Sequence, residues 1–142
     1  MKTMIKAGLA ACVAVGLAIP AIAQEEEEAR TTWRVTLLDV SDGGMDRWQD
    51  IMLEHVIPAQ QAAGLPVTQL HWIAPADKWD MILVQEMPRG MASFDTHDNP
   101  ERRAMFSAMV EQEGSEEAVR ELFAELNGLE DEGETYYTHT HP

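Results

Sequence analysis

Hydrophobic and polar positions along this chain follow two different periods, and the switches between them mark its elements. Thr32 to Val40 (TWRVTLLDV) is rich in β-branched and aromatic residues and predicts a strand. Ser41-Asp42-Gly43-Gly44 breaks it. Asp46 with Gln49 three positions on has the form of a capping box. Trp48, Ile51, Met52, His55, Ala59 and Ala62 then recur at three- and four-residue spacing, the stripe of an amphipathic helix. Pro58 removes one internal hydrogen bond and predicts a kink. Gly64 with Pro66 stops the helix.

Val67 to Ile73 and Trp79 to Met87 predict two further strands in an antiparallel hairpin, joined by a turn through residues 74–78. A loop follows, from Pro88 to Asp98. Asn99 and Pro100 open a helix whose apolar face is Met105, Phe106, Met109 and Val110. Gly114 interrupts, and Ser115 caps a second helix with Val119, Leu122, Phe123 and Leu126 buried. Glu134 to His141 (ETYYTHTH) predicts the last strand.

The order β-α-β-β-α-β is the ferredoxin-like arrangement, an α+β fold with an antiparallel sheet. In it the first and third strands are central. Here those strands carry the unbroken apolar runs Leu37-Leu38 and Met81 to Val84, which predicts burial on both faces. Helices cover one face. An apolar second face needs another cover, and a second copy packed sheet to sheet is the simplest, so a homodimer is expected.

The N-terminus obeys a different pattern. Lys2 and Lys6 precede a run from Ala7 to Ile19 that is apolar or small throughout, and Pro20 ends it. Ala21-Ile22-Ala23 supplies small-x-small before Gln24. This is the form of a secretory signal at residues 1–23, cleaved between Ala23 and Gln24. The run is too short to cross a bilayer as a helix, which takes roughly 20 residues, and no later segment has one, so no membrane span is expected. Leu9-Ala10-Ala11-Cys12 has the look of a lipobox, but the greasy stretch continues past Cys12. Cleavage removes the only Cys, leaving a periplasmic or secreted chain without disulfides. Residues 24–31 form an acidic leader and 32–142 a single domain.

Charge excludes one class of partner. Removing Lys2 and Lys6 with the signal leaves eight of the ten basic residues against all 25 acids, a net charge of −17. Such a surface repels nucleic acid and anionic lipid.

The strand TWRVTLLDV, the helix DRWQDIMLEHVIPAQQAAG and the hairpin around DKWDMILVQEM give the chain a resemblance to the dimeric α+β-barrel superfamily. That superfamily includes antibiotic-biosynthesis-type monooxygenases, EthD-like proteins and NIPSNAP-like proteins. The resemblance covers most of Thr32–His141 and implies a sheet-to-sheet dimer with a pocket between sheet and helices. Haem-degrading enzymes and cofactor-independent oxygenases of the superfamily use such a pocket. None of their catalytic residues is matched here.

Candidate chemistry falls in two places. His55, His71, Trp72 and Trp79 are the expected pocket residues, a His for proton exchange and a Trp for stacking on a flat ligand. Packing explains the same residues without a ligand. His139 and His141 share a strand face with Tyr137 and form half of a zinc or copper site, which His97 or His71 would complete. A polar edge strand ending in a tail is the plain alternative. The seven methionines after residue 23 fall mostly at core positions, which favours packing over copper. No nucleophile elbow or phosphate loop is present. The function expected is binding of a small apolar or aromatic ligand. The alternatives are a cofactor-independent oxygenase or isomerase, and a periplasmic metal-binding protein.

Overall fold

The computed structural model describes residues 30–75 and 77–140. The expected signal, Cys12, the Ala23–Gln24 cleavage site, the Glu25–Glu28 run and His141 lie outside them. Among the described residues, β1 (Thr31–Val40), β2 (Gln69–Trp72), β3 (Met81–Met87) and β4 (Glu130–Thr140) form one antiparallel sheet. The strand order is β2-β3-β1-β4, so the two apolar strands are central, as the ferredoxin-like arrangement requires. No helix among these residues is long and apolar enough to cross a membrane.

Helix α1 (Met45–Ile51) runs through a π-helical turn (Met52–Val56) into α2 (Ile57–Ala62). The predicted capping box is not formed. The helix starts two residues earlier, with Gly44 at the N-cap and no side-chain cap, and Asp46 lies in the first turn. A tight turn sets this start, with Gly44 N–H bonded to Ser41 O at 2.8 Å. A Cβ on Gly44 would lie 2.8 Å from Ser41 Oγ and 3.0 Å from Ser41 O, so a larger residue would press on the turn. The irregularity expected at Pro58 falls just before it. Pro58 cannot donate to the Glu54 carbonyl, and the preceding turn widens, with Ile57 N–H bonded to Met52 O.

Strand β2 is shorter than its sequence pattern. Thr68, expected to be part of it, is instead buried against Gln60, which accepts from Thr68 N–H at 2.9 Å and donates to Thr68 Oγ1 at 2.9 Å. A buried amide must find partners, and this exchange takes Thr68 off the sheet edge. Strand β4 is longer than predicted, because the acidic stretch from Glu130 also pairs with β1. Lys78 meets Glu132 at 3.0 Å and Glu134 at 3.6 Å there.

Helices α3 (Pro100–Glu113) and α4 (Glu116–Gly128) have the predicted caps. Asn99 accepts from Arg102 N–H and Ser115 from Ala118 N–H. Gly114 ends α3 in the left-handed conformation at φ 86°. The core is Leu38 and Met81 from the sheet with Trp48, Ile51, Met109 and Val119 from the helices. Trp48 is fully buried, and its Nε1–H donates to Glu130 Oε1 at 3.0 Å, tying α1 to the start of β4.

Candidate functional site

Strand register assigns each sheet residue to a face, because directly opposed residues point the same way. Leu38 pairs with Met81, and Thr36 with Leu83, whose other partner is Leu70. These rows face the helices and close the core. One step further along, the helix-facing row becomes polar, with Gln85, Arg34 and Tyr137 side by side across β3, β1 and β4. The Thr36–Thr135 hydroxyl contact at 3.1 Å marks the boundary between the two halves.

Above that polar row the helices leave a gap, a cleft of about 270 Å³. Arg34, Gln85, Met87 and Tyr137 form its floor, and Leu65 and Pro66 close one side. Another wall comes from Ser93 and Phe94 of a short 3₁₀ helix (Gly90–Phe94), with Asn99, Arg102 and Met105 from the start of α3. Phe94 stands edge-on to Tyr137, with ring centroids 5.0 Å apart at 79°, the T-shaped geometry aromatic pairs prefer.

This wall is fixed from three directions. Arg89 holds Glu101 through two bonds of 2.6 and 2.9 Å, joining the loop before the wall to the first turn of α3. Asn99 Nδ2 donates to Ser93 O at 3.3 Å. Gly90, at φ 53°, packs so closely on β1 that a Cβ there would lie 2.9 Å from Thr32 Oγ1. The Arg89 guanidinium keeps the Glu101 carboxyl below the usual carboxylate range. Glu101 therefore contributes an occupied carboxylate to the cleft. Glu86 also borders the cleft, but its strand position places its side chain on the opposite sheet face.

The four residues the sequence points to are elsewhere, and none lines the cleft. His55 is in the π-helical turn, where its Nδ1 lies 2.6 Å from Glu113 Oε1. That hydrogen bond holds the Glu113 carboxyl below its ordinary range. His71 is exposed on β2 and paired with Ile82, on the face away from the helices. Trp72 ends β2 and is 54% exposed, and Trp79 stacks under the Lys78 ammonium at 4.2 Å in the hairpin connection. The structure thus scatters these four.

Of the two metal candidates, His139 pairs with Thr32 at the far edge of the sheet, on the helix-facing side. His71 lies on the other edge and the other face, and His97 in an exposed loop, so one domain does not assemble the three. Among the described residues there is no group of three or more His, Cys, Asp or Glu placed to hold a metal ion.

Two signals for the cleft were present in the sequence. Arg34 is the one basic residue of a central strand, and Phe94 is a large aromatic in a segment read as a loop.

The sequence matches no protein family and no curated protein. Solved structures do match. A NIPSNAP family protein from Agrobacterium tumefaciens strain C58 superposes with a TM-score of 0.54 at 15% identity, over 78% of this chain and 86% of that one. The chain shares its fold with NIPSNAP proteins. A second NIPSNAP family protein from the same strain, described as having unknown function, gives a TM-score of 0.51 at 7% identity, over 78% and 87%. At these identities the likeness to the NIPSNAP structures is one of fold, and the cleft is defined by this chain's own residues.

Proposed function

We propose that this protein is an exported, dimeric binding protein that holds a small apolar or aromatic ligand in the cleft between sheet and α3. The observation that carries this reading is the cleft itself, a space the core does not fill, lined by Phe94, Tyr137, Met87 and Met105. Its volume lies just under the about 300 Å³ at which pockets for drug-sized ligands begin, which fits a small guest. The residues around it favour binding over chemistry. No His borders it, and its helix-side carboxylate, Glu101, is held by Arg89. General acid–base catalysis needs a free, positioned group.

The dimer rests on the sheet face opposite the helices. Val35, Leu37, Ile82 and Val84 share that face in the centre of the sheet and are only partly buried within one chain. Another copy's sheet would cover them. Export rests on the pattern of residues 1–23, and the amino-terminal sequence of protein recovered outside the cytoplasm tests it, Gln24 being the expected first residue.

A thermal-shift screen of small aromatic compounds tests the binding reading. A ligand specific for the native state raises the melting temperature with concentration. Met105→Trp, which fills the cleft, should abolish the rise. Equal responses in the two proteins would place binding elsewhere and overturn the assignment.

A further inference from the structure

We infer that the ligand of this cleft is an anion, a small carboxylic acid whose charged group is taken by Arg34 and Arg102 while its apolar body lies against Phe94, Tyr137 and Met105. The inference rests on the binding reading above and names the class of guest.

The distribution of cations carries it. The segment after residue 23 holds eight basic side chains in a strongly acidic protein. Five are spent on carboxylates, namely Arg47 on Glu125, Lys78 on Glu132, Arg89 on Glu101, Arg103 on Asp98 and Arg120 on Glu116. Arg30 is engaged as well. Among the described residues that leaves Arg34 and Arg102 without a carboxylate partner, and both border the cleft. Both side chains are exposed, so their donors are open to an incoming guest.

Arg34 is held ready rather than neutralised. Its Nη2 donates to the uncharged Gln85 Oε1 at 2.5 Å, which fixes the guanidinium over the floor and leaves further N–H donors for a guest. Gln85, having given its oxygen to Arg34, presents its amide N–H₂ beside it. A guanidinium fork matches a carboxylate in two parallel bonds. Arg102 also borders the cleft, on the first turn of α3, where the helix dipole adds to its charge. The nearby Glu101 does not compete, because Arg89 occupies it. The apolar surface offered to a guest includes the edge-to-face aromatic pair, Met87 and Met105, which suits a ring or short chain.

The test is calorimetric titration of the full-length protein with phenylacetate and with its neutral isostere phenylacetamide. Inorganic phosphate serves as a charge without a body. The acid should bind at least about tenfold more tightly than the amide, the difference expected of a charge-assisted pair. Arg34→Gln should lower acid affinity about tenfold and leave amide binding unchanged, with Arg34→Lys in between. Phosphate should not displace the acid. Acid and amide binding alike, or indifference to Arg34→Gln, would overturn the anion inference and leave the cleft a neutral-ligand site. Displacement by phosphate at equal concentration would overturn the carboxylic-acid class. Binding of neither compound, with Met105→Trp indistinguishable from wild type, would remove the binding reading along with the inference.

Discussion

Gln112 supplies the hydrogen bond that Pro58 cannot make. Pro58 has no N–H to offer the Glu54 carbonyl one turn back, and the Gln112 side-chain amide on α3 lies 3.2 Å from that oxygen. The same amide is 3.4 Å from His55 O and 2.9 Å from Glu113 Oε1. A local defect in the first helical segment has thereby become a tertiary contact to the helix that walls the cleft.

That relationship makes a double-mutant prediction. Gln112→Ala should destabilise the protein by about 1 kcal/mol, the net worth of a typical hydrogen bond. In a Pro58→Ala background the penalty should shrink, because the backbone N–H of residue 58 can then reach Glu54 O. Chemical denaturation of the four proteins measures the coupling. Strictly additive losses would show that Gln112 acts independently of Pro58.

Gly90 predicts a coupling between stability and binding. Gly90→Ala combines a left-handed backbone with a Cβ 2.9 Å from Thr32 Oγ1, and should cost about 1–2 kcal/mol or more. The strain falls on the wall that carries Phe94. Ligand-induced stabilisation should therefore fall with the melting temperature. A Gly90→Ala protein that melts lower but binds normally would separate the wall from the site.

Two sets of carboxylates predict opposite pH effects. Glu101, bonded to Arg89, and Glu113, bonded to His55, have lowered pKa values in the native state. Their stabilisation is present above the ordinary carboxylate range and drains away as the pH falls through the lowered values. Asp39 is raised, by burial first and then by the Asp80 charge, so its contribution is favourable at low pH and lost as the pH rises. Melting curves across acid pH should show a flatter acid limb for Glu101→Gln. Asp39→Asn should raise stability at neutral pH, with a gain that vanishes on acidification. The reverse order would contradict these assignments.

The open sheet face predicts the oligomeric state. Val84→Asp puts a charge in the middle of the face opposite the helices, where in one chain it meets solvent and in a sheet-to-sheet dimer another apolar sheet. Sedimentation should show the wild type as a dimer and the variant as a monomer with unchanged far-ultraviolet circular dichroism. A monomeric wild type would remove the dimer from the account.

The fold was legible because its signals are local or periodic. The caps at Asn99 and Ser115, the left-handed stop at Gly114 and the apolar runs of the central strands each need only neighbouring residues to be read. Thr68 was misplaced because a buried amide, Gln60, claims it from another element, and no period records that. The start of β4 was missed because acidic residues are poor strand formers, and β1 with Lys78 overrides their propensity.

The cleft was legible only in outline. A gap between sheet and helices is implied by the fold, but its position depends on where the helix-facing row changes from Leu83 to Gln85 and on a 3₁₀ wall that has no sequence period of its own. His55 and Trp72 attract attention as residue types, yet one is bonded to Glu113 and the other ends an edge strand. Arg34 is the sequence sign that does fall on the cleft floor, an exposed charge on the helix-facing row of a central strand.

Backbone amide NMR of the full-length protein during a phenylacetate titration tests the location and the class of the guest together. The account predicts saturable shifts gathered at Arg34, Gln85, Phe94, Arg102 and Tyr137, with His71 and Trp79 unmoved. Shifts centred on His71 and Trp79, or none at concentrations that saturate small-molecule sites, would contradict it.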